Sequence, residues 1–398
     1  MDTPQTSPDR LNHLLIDLLP LLPGGANGGA KPFVLDLLVE LCHRHPTVLM
    51  TACCTPAASG ELEALCLPNL QLLTQKPGYA GNRWLGSRRL AGVKSRLGRS
   101  FQPEHPQAQL LFCPFGITRL RRPQLPLVSI LYDLQMLAYP EFFPPADRRE
   151  RLRNFRRQAR RSTRIAAISD FTRDTAIAAG VNPDRVRTIP IQIRRPQNED
   201  LAATPLSHGL EHGRYFLYPA NLWHHKNHEL LLTAFAMAKH SGLPDDIQLV
   251  CTGEDLNRRQ RLEAVAEGLR ISPSVKMTGF VAAQHLDSLY AHSLAVVFPS
   301  LYEGFGMPVI EAMALGVPVA CSSTTALAEV AGDAALLFDP GHPGEIATAM
   351  CRLSLEKELR ATCIQKGRVQ SSRYTSPGTM ANSYWELFHD ALKGFPAT

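Results

Sequence analysis

With 398 residues, 44% of them apolar and 20% charged, the chain holds core material for about two globular domains and is neither disordered nor fibrous in composition. No run approaches the ~20 continuous apolar residues of a membrane-spanning helix, and nine scattered cysteines, none in C-x-x-C spacing, fit no zinc, redox or disulfide framework and read as reduced residues of a cytoplasmic protein. The net charge of +6 divides unevenly, with 27 Lys+Arg against 17 Asp+Glu in residues 1–200 and 15 against 19 in residues 201–398, so the halves are expected to meet different ligands or surroundings.

Short apolar runs alternate with helix-length amphipathic stretches, the pattern of parallel sheets covered by helices on both faces. The run at 14–22 is interrupted by Asp17 and Pro20 and follows no basic segment, so a buried first strand at 14–18 is expected rather than a secretion signal. The loop Gly24-Gly-Ala-Asn-Gly-Gly29 comes next and a helix opens at Pro32, which leaves free amides at a helix start. Its spacing matches neither G-x-G-x-x-G nor G-x4-G-K-[ST], so dinucleotide and P-loop readings fail and a simple tight turn stays open. Further strands are expected at 48–52, 127–131, 164–168 and 186–190. Residues 77–126, rich in Gly, Pro and Arg, are too poorly periodic to place elements.

Residues 148–164, from Arg148 to Arg164, contain nine arginines. They read as a solvated helix face or as a surface for anionic lipid or an anionic acceptor. Nucleic acid is disfavoured because no aromatic platform interleaves the charges. Ser169 and Thr172, after the strand ending at Ile168, have the spacing of a plain N-cap.

Residues 194–213 are polar, carry Pro196 and Pro205 and make the best linker. The alternation then restarts, with strands expected at 215–219, 247–252, 275–278, 294–299 and 317–321. This divides the chain into an N-terminal domain at 1–200, a second doubly wound domain at 201–375 and a terminal helix at 376–398 that can pack on either.

The most informative segment is Phe298-Pro-Ser-Leu-Tyr-Glu303-Gly304-Phe305-Gly306-Met307-Pro-Val-Ile-Glu311, where a buried strand ends, a glycine loop follows and a helix begins near Met307 or Pro308. Gly304 and Gly306 let the backbone approach a ligand, and the helix start points free amides at an anion. Glu303 in the loop and Glu311 one turn into the helix can both face one cleft, where carboxylates suit sugar hydroxyls. Histidines 224, 225 and 228 invite a metal reading, but no carboxylate or cysteine accompanies them at ligand spacing, so they are expected to cap or line a loop, with one able to touch phosphate.

The segment resembles the E-x7-E signature of the retaining family-4 glycosyltransferases, the GT-B group with two Rossmann-like domains facing a central cleft. The likeness extends over most of residues 215–340, through Tyr218-Pro-Ala-Asn-Leu-Trp-His-His-Lys-Asn227, Thr252-Gly253, Thr278-Gly-Phe-Val281 and Glu329-Val-Ala-Gly332. It is fainter in the N-terminal half, through the Gly24–Gly29 loop and Tyr132-Asp133, and Ser169 with Thr172 resembles a family helix start near the cleft as much as a plain N-cap.

The resemblance implies a donor site made of Gly28, Gly29, Asn221, His225, Lys226, Thr252, Gly253, Phe280, Glu303, Gly304, Phe305, Gly306, Met307 and Glu311. Within it, Glu303 would hold sugar hydroxyls, the backbone from Gly304 to Met307 the sugar and phosphate, Glu311 the ribose, and Lys226 the pyrophosphate. Tyr132 and Asp133 would line the acceptor side, and Lys226, Glu303 and Asp133 would carry catalysis. Two positions depart from the pattern. Many relatives carry arginine where this chain has Asn221, so one cation is missing and its role is open to His224, His225 or a helix N-terminus. Many carry His-Asp where it has Tyr132-Asp133, so either Tyr132 supplies a hydroxyl there or Asp133 acts alone. A local cap by Asp133 also stays open.

The family implies transfer of a hexose from a GDP- or UDP-linked donor to a glycan or lipid-linked glycan, with no metal and no bound cofactor. The acceptor hydroxyl would attack the face that the nucleotide leaves. A nucleotide-sugar-binding protein without transfer, and a sugar-nucleotide epimerase of similar architecture, are the rival readings. Location on the inner membrane face, through the arginine-rich segment, is compatible with a lipid-linked acceptor.

Overall fold

The computed structural model describes residues 11–24, 27–74, 107–116, 120, 122–193, 209–255 and 257–395. The N-terminal sheet has seven parallel strands: β1 (His13–Asp17), β2 (Leu49–Cys54), β3 (Leu70–Thr74), β4 (Leu110–Cys113), β5 (Leu127–Leu131), β6 (Arg164–Ala167) and β7 (Val186–Thr188), in the order β3-β2-β1-β4-β5-β6-β7. The second sheet has six, β8 (Tyr215–Pro219), β9 (Gln248–Thr252), β10 (Val275–Gly279), β11 (Ala295–Phe298), β12 (Val319–Ser322) and β13 (Leu336–Phe338), in the order β10-β9-β8-β11-β12-β13. Both are doubly wound parallel α/β layers. In each, the order reverses beside the first strand, and this leaves a crevice at the carboxyl ends of the strands.

The central strands β1, β4, β5, β8 and β11 are buried along their whole length, which explains their continuous apolar character. Three strands escape the periodicity reading. β3 and β13 are sheet edges, only partly buried and short. β4 is four buried residues inside the Gly-, Pro- and Arg-rich stretch 77–126, whose poor periodicity hides it. Residues 77–106 of that stretch, and 194–208 of the expected linker, lie outside the described residues.

The terminal helix Pro377–Lys393 returns to the first domain and packs on the helix Ala30–Arg44 and on β5 and β6. Tyr384 and Phe388 meet Phe112 at ring separations of 5.8 and 5.0 Å, and Trp385 stacks on His45 at 3.5 Å. Each fully buried aromatic contributes about 2–3 kcal/mol of burial energy, so this helix straps the two domains together. Among the described residues no helix is long and apolar enough to cross a membrane.

Candidate functional site

The loops after β8 and β11 stand side by side because these strands are neighbours in the sheet. After β8 the chain makes a short 3-10 turn, His224–Lys226, that ends at Asn227 in the left-handed region (φ 61°). Asparagine tolerates that conformation. Its amide Nδ2 donates to the carbonyls of Pro299 at 3.2 Å and Pro340 at 2.8 Å, and the Tyr218 hydroxyl donates to the Lys226 carbonyl at 2.5 Å. The lysine turn is therefore pinned to the end of β11.

Lys226 Nζ donates to Glu303 Oε1 at 2.6 Å, with both side chains largely buried, and lies 5.1 Å from the centre of the Phe298 ring. Burial pushes the Glu303 pKa up, but the Lys226 ammonium, His225 and hydrogen bonds from Lys226 and Ser300 outweigh it and hold the carboxyl below its ordinary range. The His225 pKa also falls, to about 4, chiefly through burial and then through Lys226, with Glu303 opposing.

Gly306 begins the helix Met307–Ala314 at φ 103°, where a β-carbon would also fall 2.4 Å from Leu327 Cδ2. Phe305, 3% exposed, turns inward onto Tyr374 at 5.4 Å. Its side chain is thus core. Glu311 Oε2 accepts from the buried Tyr290 hydroxyl at 2.9 Å. Burial raises the Glu311 pKa, with Asp287 adding to the rise and the Tyr290 bond opposing it. Tyr290 was not singled out from the sequence, since a buried tyrosine on a helix has no local mark of a polar role.

The N-terminal domain closes on this loop. A β-carbon on Gly29 would lie 2.1 Å from Met307 Cε, and one on Gly304 would lie 1.9 Å from the Tyr132 carbonyl oxygen and 3.3 Å from Asp133 Cβ. The Tyr132 hydroxyl itself donates to the Pro114 carbonyl at 2.7 Å, so this residue offers its main chain rather than its phenol to the other domain. Asp133 Oδ1 accepts from Gln135 N at 3.0 Å, a local cap, while its side chain opens into the cleft. Surrounding protein raises its pKa by desolvation, opposed by the Gln135 bond, Arg151 and Lys226. Gly28, at φ 55°, has open space around it.

An aromatic ladder that the sequence did not signal bridges the domains. Tyr139 stacks on Phe142 at 5.0 Å, Phe142 on His224 at 5.9 Å, and Tyr139 meets Tyr302 edge-on at 6.2 Å. Beyond it runs the arginine-rich helix Pro145–Arg161, whose Arg151 sits over Phe143 at 4.8 Å.

Asn221 occupies the place of the missing arginine and is structural here: its Oδ1 accepts from Glu254 N at 2.8 Å, beside a bond from Leu222 N to the Glu254 carbonyl at 3.0 Å. The buried Arg258 completes this bracket, donating to the Leu222 carbonyl at 3.0 Å and pairing with Glu229. Gly253, at φ 117°, lets Ala220 and Asn221 pass within a distance that a β-carbon would forbid. Thr252 is buried at the end of β9, and Phe280 is 67% exposed just past β10. His224 and His225 line the turn, and His228 is buried against Tyr218 at 4.7 Å. Among the described residues no three His, Cys, Asp or Glu side chains cluster as metal ligands.

A buried cation, a carboxylate and a helix start thus converge where two parallel sheets present their carboxyl ends, an arrangement suited to a polyol that carries a phosphate. Residues 207–370 match the family model for glycosyl transferases group 1, and residues 27–192 match that for glycosyltransferase family 4. The chain is 28% identical over 258 residues to O-antigen chain mannosyltransferase B of Escherichia coli, covering 62% of this chain and 66% of that protein. It is 27% identical over 227 residues to D-inositol 3-phosphate glycosyltransferase of Acidothermus cellulolyticus, covering 54% and 50%. The matches therefore span between half and just under two thirds of the length of these relatives. Among solved structures, Anabaena Alr3699/HepE in complex with UDP and glucose superposes with a TM-score of 0.69 at 18% identity, over 94% of this chain and 98% of that one. WaaG, a glycosyltransferase involved in lipopolysaccharide biosynthesis, does so with a TM-score of 0.64 at 15% identity, over 93% and 99%. At these identities the structural likeness establishes the fold.

Proposed function

The chain belongs to the family-4 glycosyltransferases of GT-B fold, and from that premise we propose that it transfers a hexose from a nucleoside diphosphate sugar to a glycan or lipid-linked glycan, with retention and without a metal. The observation that carries this reading is the buried Lys226–Glu303 pair beside the amides that open the helix at Met307. When donor enters, Lys226 turns to the pyrophosphate and Glu303 to the sugar hydroxyls. The bond from the anomeric carbon to phosphate breaks as the bond to the acceptor oxygen forms on the same face, and the acceptor proton passes to the departing phosphate oxygen. Lys226 and the helix-start amides stabilise the charge that the leaving group gains. Domain closure excludes water.

Glu311 holds the ribose and Phe280 offers a face to the base. The UDP and glucose bound by the HepE neighbour support a nucleotide-linked hexose donor, and the mannosyltransferase relatives support a hexose as the transferred group. The arginines of the helix Pro145–Arg161 would rest on an anionic cytoplasmic membrane face and bring a lipid-linked acceptor to the cleft. The test is a screen of GDP- and UDP-sugars by thermal shift, followed by product analysis with chelator present. A donor that stabilises the chain and is transferred with retention supports the reading. Loss of transfer on chelation, or inversion, would refute it.

A second reading, donor binding without transfer, is favoured by Asn221, whose carboxamide oxygen is held by Glu254 N and which supplies no charge. Calorimetry that shows donor binding with neither transfer nor donor hydrolysis would establish it.

A further inference from the structure

The N-terminus of the helix Asp170–Ala178, in the first domain, receives a carboxylate from the second. Glu329 Oε1 accepts from Asp170 N and Oε2 from Phe171 N, each at 2.9 Å. These are free first-turn amides at the positive end of the helix dipole, where a carboxylate is favoured. Ser169, the N-cap, accepts from Thr172 N at 3.0 Å, and its hydroxyl donates across the domain boundary to the Gly304 carbonyl at 2.7 Å. The Thr172 hydroxyl reaches the same carbonyl at 3.2 Å.

Glu329 is also tied to the other side of that loop. It lies on the short helix Ala326–Ala331, whose first residues hold Glu303: Glu303 N donates to Thr325 Oγ1 at 3.2 Å, and Ala326 N to the Glu303 carbonyl at 3.4 Å. Thr325 sits at φ 60°, ψ −149°, a conformation that a β-branched residue keeps only when its surroundings enforce it. The dipeptide Glu303-Gly304 is therefore gripped from its own domain by Thr325 and from the opposite domain by Ser169 and Thr172, and Glu329 joins the two grips.

We propose that Ser169, Thr172 and Glu329 are positioning residues, which set the Glu303-Gly304 dipeptide for transfer only when the two domains are closed. The inference rests on the proposed transferase reading and adds residues outside the expected donor and acceptor sets. Closure then does more than exclude water: it delivers hydroxyl donors to the carbonyl next to the sugar-binding carboxylate.

The test compares the full chain with Glu329→Ala, Ser169→Ala and the conservative Ser169→Thr. Both alanine variants are expected to lower kcat about 10-fold or more while donor affinity by calorimetry changes less than about 3-fold, and Ser169→Thr is expected to recover most of kcat. A purely structural role would instead lower the unfolding midpoint and leave kcat per folded molecule unchanged, which would overturn the proposal. Amide exchange read by mass spectrometry supplies a readout independent of transfer. Peptides spanning 169–173 and 301–307 should both exchange faster in Glu329→Ala, with β9 unchanged, and unaltered exchange at 301–307 would also overturn it. If the wild type transfers no sugar yet the exchange coupling appears, the transferase reading fails and the coupling stands.

Discussion

Lys226 Nζ and Glu303 Oε1 lie 2.6 Å apart, with the two side chains 15% and 13% exposed. Without a donor, the ammonium assigned to phosphate is neutralised by the carboxylate assigned to the sugar. Removing either partner leaves the other as a buried charge without its main counterion, at a cost of about 3 kcal/mol. Lys226→Ala and Glu303→Ala should therefore each lower the unfolding midpoint and reduce turnover at least about 100-fold. The double variant Lys226→Met with Glu303→Gln should regain stability but not turnover. A double-mutant cycle by denaturant unfolding checks this, and additive single losses would contradict it.

Gly304 has no room for a side chain, because the Tyr132 carbonyl would stand 1.9 Å from its β-carbon. That obstacle is backbone of the other domain, so Gly304→Ala must push the domains apart rather than disturb either core. Turnover should fall at least about 10-fold while the unfolding midpoint shifts by only a few degrees, since a misplacement of ~1 Å carries that kind of penalty. By contrast, Gly29→Ala meets only the flexible tip of Met307 and should be milder. Equal losses in the two variants, measured under saturating donor, would count against the closed arrangement.

Burial, reinforced by Arg258 and Lys226, pushes the His228 pKa from 6.5 down to about 3, and burial with Lys226 takes His225 to about 4. Both are neutral when folded, whereas in the unfolded chain they take up protons near pH 6.5. Stability is therefore whole above that pH and declines as the solution is acidified toward pH 4, by about 3 kcal/mol for His228 alone. Thermal unfolding followed from pH 7.5 to 4.5 should show this fall, and His228→Leu should flatten it. A wild-type midpoint independent of pH across that range would be the contrary result.

Asn221 holds Glu254 N through a carbonyl oxygen, a role that needs an acceptor but no charge. Asn221→Asp keeps the acceptor and should cost little, while Asn221→Ala should cost about 1 kcal/mol, the usual net worth of such a bond. Asn221→Arg would bring in the charge that many relatives carry there, yet would lose the pin and loosen the Lys226 turn. Its turnover should not exceed that of the wild type in a steady-state assay, and a gain would show that the missing cation limits the rate.

Much of the fold is legible in the chain. Strands such as 215–219 and 127–131 announce themselves because strands covered on both faces must be apolar throughout, and Gly306 and Pro308 mark a helix start by local backbone chemistry alone. β4 was not legible because the Gly-, Pro- and Arg-rich stretch around it hides its four apolar residues, and the partly buried edges β3 and β13 were not read, whereas the edges β7 and β10 were. Within the candidate site, the glycine loop with Glu303 and Glu311 stood out by its residue types, whereas Lys226 was reached only through the family resemblance. The core-facing side chain of Phe305 was not legible, because a residue whose backbone is expected to meet a ligand carries no local mark of where its side chain packs.

The sequence by itself determined the two βα alternations, the glycine loop and the residue types gathered around it, for these depend on neighbours a few positions apart. The tertiary structure alone decided the pairings. Lys226 meets Glu303 across 77 residues, Glu329 meets Asp170 across 159, and the Tyr132 hydroxyl is diverted to Pro114. Such partners are set by which strands lie side by side and how the domains close, and no local pattern of residues encodes that geometry.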